Sequence, residues 1–410
     1  MKQLLFIFFL LVSTCTFAQN LTKAQKRFLA KKVVQLDTDN QFHDTQWSHI
    51  HQQLKNKDVV AIGEFTHGAK EVFQLKNSLI KYLHEALGFE VILFESGMGE
   101  LIEVNTNKQQ LSPQQLVQKG LMGPWKTAAF TELMTYVKQE NLEIAGFDVQ
   151  RSGSSFAPLL KKIAQMHLAD STAYYNLELR YTKAKKQLKQ KTLADSTQQS
   201  IRQLIAAYQS LEQKLNQVDA PTPTIQLVAK TLGNRASYLA YKLDFALDRD
   251  WNKAWAARDV AMANNILWLT QNIYPNKKII ILAHNFHIST YNEDLLVMGE
   301  VLKEKLDKDI YTIGVFAGKG VFAGNTRNKK ELSAPDSSQL DIKHLINQLD
   351  GYAHFLSIPS KNKKSTAWLF QPIIVNDTFI NLRKKNTMEL AKKFDGLLFL
   401  QQVSMPNYQY

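Results

Sequence analysis

A carboxylate and an imidazole stand three residues apart in the run VVAIGEFTHGAKEVFQLK (residues 59–76): Glu64 and His67. The apolar stretch Val59–Ile62 stops at Gly63, and the residues beyond Gly68 read as a helix start. Glu64 and His67 can therefore share one face at the mouth of a strand-to-helix turn. Such a pair serves as base and orienter, or as two metal ligands. Three more apolar runs end in similar chemistry. Val91–Phe94 delivers Glu95, Ile144–Phe147 delivers Asp148 and then Arg151, and Lys278–Ala283 delivers His284, Asn285 and His287. Glu95 is costly to bury without a partner, and His67 or His284 is available.

Each residue also has a bland use. Glu64 suits a helix N-terminus, and His67 a packed core. Glu95 suits a structural ion pair. Asp148 could cap the next element with Arg151 as its partner. His287 could bond only to backbone. Arg258 and Asp259, on a helix expected over Trp255–Leu269, could be a local surface pair. Trp125 in GPW could be packing or a substrate wall.

The elements that must position these groups are strands. Asp58–Ile62, Val91–Phe94, Ile144–Phe147, Lys278–Ala283, Tyr311–Phe316 and Gly396–Leu400 are β-type runs, several continuously apolar. Continuous apolar strands are buried on both faces, as in a parallel sheet. Val72, Leu75, Leu79, Leu83 and Leu87 form a helical stripe between the first two runs, giving a βαβ unit. The expected fold is α/β, a mostly parallel sheet flanked by helices. Its strand C-termini would share one edge, where open sheets bind ligands. Residues 156–250 differ, being rich in Leu, Lys, Gln and Ala. Leu204, Tyr208, Leu211 and Leu215 keep helical spacing, Pro221 and Pro223 break the run, and helix resumes near Ile225. A hairpin-like helical insertion is expected there, as a lid or as plain cover for one sheet face. The α/β core would comprise 19–155 and 251–410.

The 410 residues are 45% hydrophobic, enough for a substantial core, and carry a formal charge of +13. The lysines are scattered and no Arg cluster interleaves with aromatics, so nucleic acid is not an expected partner. Residues 1–18 read as an export signal: Lys2, the apolar Leu4–Val12, then Thr16-Phe17-Ala18 before Gln19. No segment is long and apolar enough for stable membrane insertion, so a periplasmic or secreted protein is expected. Cys15, the single cysteine, lies in that signal. A lipoprotein anchored through Cys15 is the alternative. A mature chain cleaved after Ala18 has no thiol nucleophile, disulfide or Cys-based zinc site.

The run GEFTHGAKEVFQLK resembles the first signature of the erythromycin esterase family, and GFEVILFES the second. RDVAMANN, ILAHNFHI and IGVFAGKGVFA follow in the family's order. The resemblance spans about Val59 to Ala323. It implies an α/β enzyme with an inserted helical region, a deep cleft and a small-molecule ester or lactone substrate. Carried over by motif, Glu64, His67, Glu95 and His284 match its essential residues. Lys76 stands where members usually carry arginine, which keeps the charge and loses the planar fork.

On this reading His67 removes a proton from water, with Glu64 or Glu95 orienting it. His284, with Lys76 nearby, stabilises the oxyanion or protonates the leaving group. Lys76, Asp148, Arg151, Asn285 and His287 would bind or orient substrate. No cofactor is expected, a catalytic metal held by these histidines and carboxylates being the rival. A serine nucleophile lacks its G-x-S-x-G elbow. The alternative function is an exported iron- or haem-binding protein on a related sheet. Antibiotic resistance and ester catabolism are equally open as physiological roles.

Overall fold

The computed structural model describes residues 22–36, 44–153, 155–168, 174, 176–336, 340–375 and 387–409. The expected export signal, residues 1–18 with Cys15, lies outside the described residues. No helix among the described residues is long and apolar enough to cross a membrane.

The strands are β1 (Val34–Leu36), β2 (Val59–Ile62), β3 (Phe89–Gly97), β4 (Glu143–Asp148), β5 (Lys278–Leu282), β6 (Ile310–Ala323), β7 (Lys329–Glu331), β8 (Ala353–Ser357), β9 (Ile373–Ile374), β10 (Thr387–Met388) and β11 (Gly396–Val403). The main sheet runs β1-β8-β11-β6-β2-β5-β3-β4, with β7 on the end of β6; β9 and β10 form a separate ribbon. From β11 to β4 every neighbouring pair is parallel. β8 is antiparallel to both β1 and β11. The six apolar runs are the six parallel strands. Every residue of β2 is buried, as a central strand covered on both faces requires.

Helices cover the sheet. Lys70–Leu87 buries Val72, Leu75, Leu79 and Leu83 and ends at Gly88, whose φ of 71° suits a left-handed cap. Trp251–Asn272 begins at Asp250, whose side chain accepts from the Lys253 N–H.

Among the described residues of 156–250 there are four helices, Phe156–His167, Leu177–Gln187, Asp195–Asn216 and Pro223–Asp248. The last two form the long hairpin. Leu204, Tyr208, Leu211 and Leu215 are its buried face. Thr222 caps the return helix, with Pro223 in its first turn.

A buried charge cluster fastens this region to the helix Met98–Thr106, which follows β3. Arg235, 1% exposed, donates to Glu100 Oε1 at 2.7 Å and to Glu178 Oε1 at 3.2 Å. Tyr208 donates to the same Glu178 oxygen at 3.0 Å. Arg235→Ala leaves two buried carboxylates with only the more distant Arg151, 4.0 Å from Glu100 and 3.7 Å from Glu178, an expected loss of about 3 kcal/mol. Urea denaturation reads this, and a loss under about 1 kcal/mol contradicts the assigned role.

Candidate active site

β2, β5, β3 and β4 are consecutive and parallel, so their C-terminal ends meet at one edge. Glu64 and His67 follow β2. Glu95 lies in β3, at a register shift between Phe94 and Gly97 against β4. Such a shift re-aims a side chain, and Gly146 permits it: a Cβ there would meet Ser96 O at 2.4 Å. Asp148 ends β4. His284 caps the short helix Asn285–Ile288 beyond β5.

Glu64 is fully buried and accepts three hydrogen bonds. His67 Nδ1 donates to Oε1 at 2.5 Å, Trp125 Nε1 to Oε1 at 2.9 Å, and Lys76 Nζ to Oε2 at 2.6 Å. Burial favours the neutral acid, but Lys76 and His67 outweigh it and hold the carboxyl below its usual range. With Nδ1–H committed to a carboxylate, Nε2 is the ring's acceptor. Lys76 was expected at the substrate. It is instead buried behind Glu64, 5.5 Å from the Trp125 ring centroid. Trp125 is neither simple packing nor a wall, since it fixes Glu64.

A second network surrounds Glu95. Its Oε1 accepts from Arg258 Nη2 at 2.8 Å and lies 3.2 Å from His287 Nε2, while Oε2 accepts from the His284 N–H at 3.1 Å. It is held by Arg258, His287 and one backbone amide, and the nearby His67 also acts on its charge. Burial raises the Glu95 pKa, yet His287 and Arg258 bring it well below the ordinary value. Arg258 also bonds Asp148 at 2.6 and 3.2 Å. That corrects the Asp148–Arg151 pairing: Arg151 instead donates to Thr182 Oγ1 at 2.8 Å and to Gly153 O, and its carboxylate neighbours are Glu178 at 3.7 Å and Glu100 at 4.0 Å.

His287 Nδ1 lies 2.9 Å from both Asp259 oxygens. Burial disfavours its charge, but Asp259 and Glu95 raise its pKa to about 10. His287 is thus an imidazolium at neutral pH, donating from Nδ1 to Asp259 and from Nε2 to Glu95. Arg258 Nη1 stands 3.1 Å from the same Nε2. In the charged state this is a like-charge approach, offset by Glu95 and Asp148. Asp259 is 0% exposed, so Arg258 and Asp259 are not a surface pair. Adjacent on one helix, they serve different partners.

Besides Glu64 and Lys76, two expected site residues do not line the cleft. His284 is buried, its Nδ1 accepting from the Phe286 N–H at 3.1 Å, and its ring also bonds the Phe65 backbone. Burial with the nearby His67 and His287 keeps its pKa well below the ordinary value. It is a neutral, locally committed ring 5.2 Å from His67, poorly suited to stabilise an oxyanion. Asn285 exchanges bonds with Val315, Oδ1 accepting at 3.0 Å and Nδ2 donating at 2.9 Å, and its N–H donates to Glu64 O. A Cβ on Gly63 would stand 2.1 Å from Asn285 Oδ1. Asn285 is a clamp between strand ends.

His67, Glu95, Asp148, Arg151, Arg258 and His287 line a cleft of about 320 Å³, with Trp255, Met122, Asn325, Ser96 and Ser152. Ser96 Oγ accepts from the Met122 N–H and Ser152 Oγ donates to Gly120 O. Among the described residues neither serine pairs with a histidine, and no three His, Cys, Asp or Glu side chains gather as a metal-ligand set.

The family model described as Erythromycin esterase matches residues 84–403; the chain belongs to the erythromycin esterase family. YbfO of Bacillus subtilis, which carries a hydrolase's name, is 27% identical over 391 residues, 86% of this chain and 85% of its own. The type II erythromycin esterase of Escherichia coli is 26% identical over 291 residues, 64% of this chain and 69% of that protein. A succinoglycan biosynthesis protein has the same fold, with a TM-score of 0.76 at 17% identity over 95% of this chain and 100% of that one. A mutant erythromycin esterase in its open conformation gives 0.64 at 13% identity, over 92% and 98%.

Proposed function

We propose that this protein hydrolyses a carboxylic ester or lactone with a water molecule activated by His67. The observation that carries the reading is the 2.5 Å His67–Glu64 bond beside a cleft that His67 lines. Glu64 orients the ring and stabilises it once protonated. Lys76 and Trp125 hold Glu64 in place, so the base is preorganised.

Ester hydrolysis also needs hydrogen-bond donors or cations where negative charge develops. Arg258 lines the same cleft and, as a permanent cation, is better suited to the oxyanion than neutral His284; His287, both of its N–H groups engaged by Asp259 and Glu95, adds its positive charge beside the site. After attack, His67 returns its proton to the departing alkoxide. General base catalysis supplies roughly 10²–10⁴-fold; electrostatic preorganisation and positioning supply the rest.

The test is a screen of macrolide lactones, simple lactones and alkyl and aryl esters, comparing wild type with Glu95→Gln. Acid release by the wild type and its loss in the variant are expected. Absence of hydrolysis across all classes would sink the reading. Export by the segment 1–18 belongs to the same proposal, because a secreted or periplasmic esterase meets such substrates outside the cytoplasm.

A further inference from the structure

Besides His67, Glu64 is held by two donors that come from different elements. Lys76 lies on the helix Lys70–Leu87, and Trp125 stands just before the helix Ala128–Gln139. Among the described residues, neither helix has a side-chain cap at its N-terminus. The N–H of each first helical residue is satisfied instead by a carbonyl of one short segment, residues 404–409, which follows β11. Lys70 N–H donates to Ser404 O at 2.9 Å, and Ala128 N–H donates to Asn407 O at 2.9 Å. Helix-start N–H groups lack intrahelical acceptors and need such partners.

Side chains repeat the arrangement. Glu71 accepts from the Ser404 N–H and from Ser404 Oγ, both at 2.5 Å. Thr131 Oγ1 donates to Gln409 Oε1 at 2.8 Å, and Thr127 pairs with Tyr408 in an antiparallel bridge. The Arg327 guanidinium, on the turn between β6 and β7, lies 4.3 Å from the Tyr408 ring centroid and donates to Gly123 O at 3.2 Å. That contact reaches the turn Gly123–Trp125 itself. Phe130 stacks on Trp125 with ring centroids 5.1 Å apart and meets Phe73 at 5.0 Å, so the two helices are also packed together.

Lys76 grips Glu64 Oε2 and Trp125 grips Oε1. A drift of either helix start therefore turns the carboxylate that orients His67. Small misplacements far from the reacting atoms are costly in rate. We infer that residues 404–409 are a brace that fixes both helix starts, and so sets Glu64 and the His67 base. They are positioning residues, and the assignment rests on the hydrolytic reading. None of them lines the cleft, so the brace acts on turnover and not on substrate affinity.

Two double variants separate bracing from plain cover. E71A/Y408A removes the carboxylate under Ser404 and the ring under Arg327. E71Q/Y408F keeps an acceptor for the Ser404 N–H, a partner for its hydroxyl, and the ring; the Tyr408 hydroxyl has no hydrogen-bond partner among the described residues. E71A/Y408A is expected to lower kcat for a cleaved ester roughly tenfold or more and to leave KM within about twofold. The indole N–H resonance of Trp125 should move in protein labelled with ¹⁵N-tryptophan, its peak identified by its loss in Trp125→Phe. E71Q/Y408F should match wild type in both readings. The single variants E71A and Y408A are measured beside the double, so a double variant too weak to fold does not end the test. An unchanged kcat in folded E71A/Y408A overturns the inference, as does an unmoved Trp125 resonance or an equal loss in E71Q/Y408F. A wild type that cleaves no ester overturns the hydrolytic reading instead, while the Trp125 resonance still decides whether the segment sets the Glu64 cluster.

Discussion

His67→Ala is expected to lower kcat/KM for a cleaved ester by on the order of 10³-fold, the range for removing a positioned general base. The loss belongs mostly to kcat, because the ring acts on the attacking water and not on the bound ester. Glu64 keeps Lys76 and Trp125 as partners in the variant, so no buried carboxylate is left unpaired and urea stability should change little. Steady-state kinetics with urea denaturation as control checks both halves. A loss under tenfold in a folded variant removes His67 from the chemistry.

Asp259→Asn should produce the second large effect, read along the pH axis. Burial favours neutral His287, and Asp259 with Glu95 reverses this, giving a pKa of about 10. The folded value lies above the ordinary histidine value of about 6.5. The ion pair's stabilisation is therefore fully present below about pH 6.5 and is lost as pH rises through about 10. An asparagine keeps the shape but no longer compensates the imidazolium. The alkaline limb of kcat/KM should move from near 10 toward neutrality, with roughly a tenfold or greater loss at pH 8. Histidine NMR titration alongside the pH–rate profile checks this. An unmoved alkaline limb contradicts the role given to His287.

The parallel sheet was legible because buried parallel strands are continuously apolar, a local signal. β2, β3, β4, β5, β6 and β11 all coincide with such runs. β8 carries His354 within it and joins β11 antiparallel, and β1 joins through β8; their pairing depends on distant partners rather than on local pattern. The strand ends announced Glu64, His67, Glu95 and Asp148 for the same reason. Which histidine faces the cleft was not legible. His284 and His287 sit three apart on one short helix, and only the Phe65 and Asp259 contacts separate a committed ring from a charged one. Arg258 and Asp259 were visible as residues but not as a site, since their partners lie across the sheet. The signal was there in part: an Arg-Asp pair in a motif beside two unmatched strand-end carboxylates.

The central claim is direct attack by water activated at His67, and rapid-quench intact-mass analysis during turnover of an activated ester tests it most directly. Chain mass is expected to stay unchanged at every quench time, with no burst of alcohol ahead of acid and one solvent ¹⁸O in the acid product. A stoichiometric acyl adduct on the chain, with a burst equal to the enzyme concentration, would contradict the account and move the nucleophile from water to a side chain.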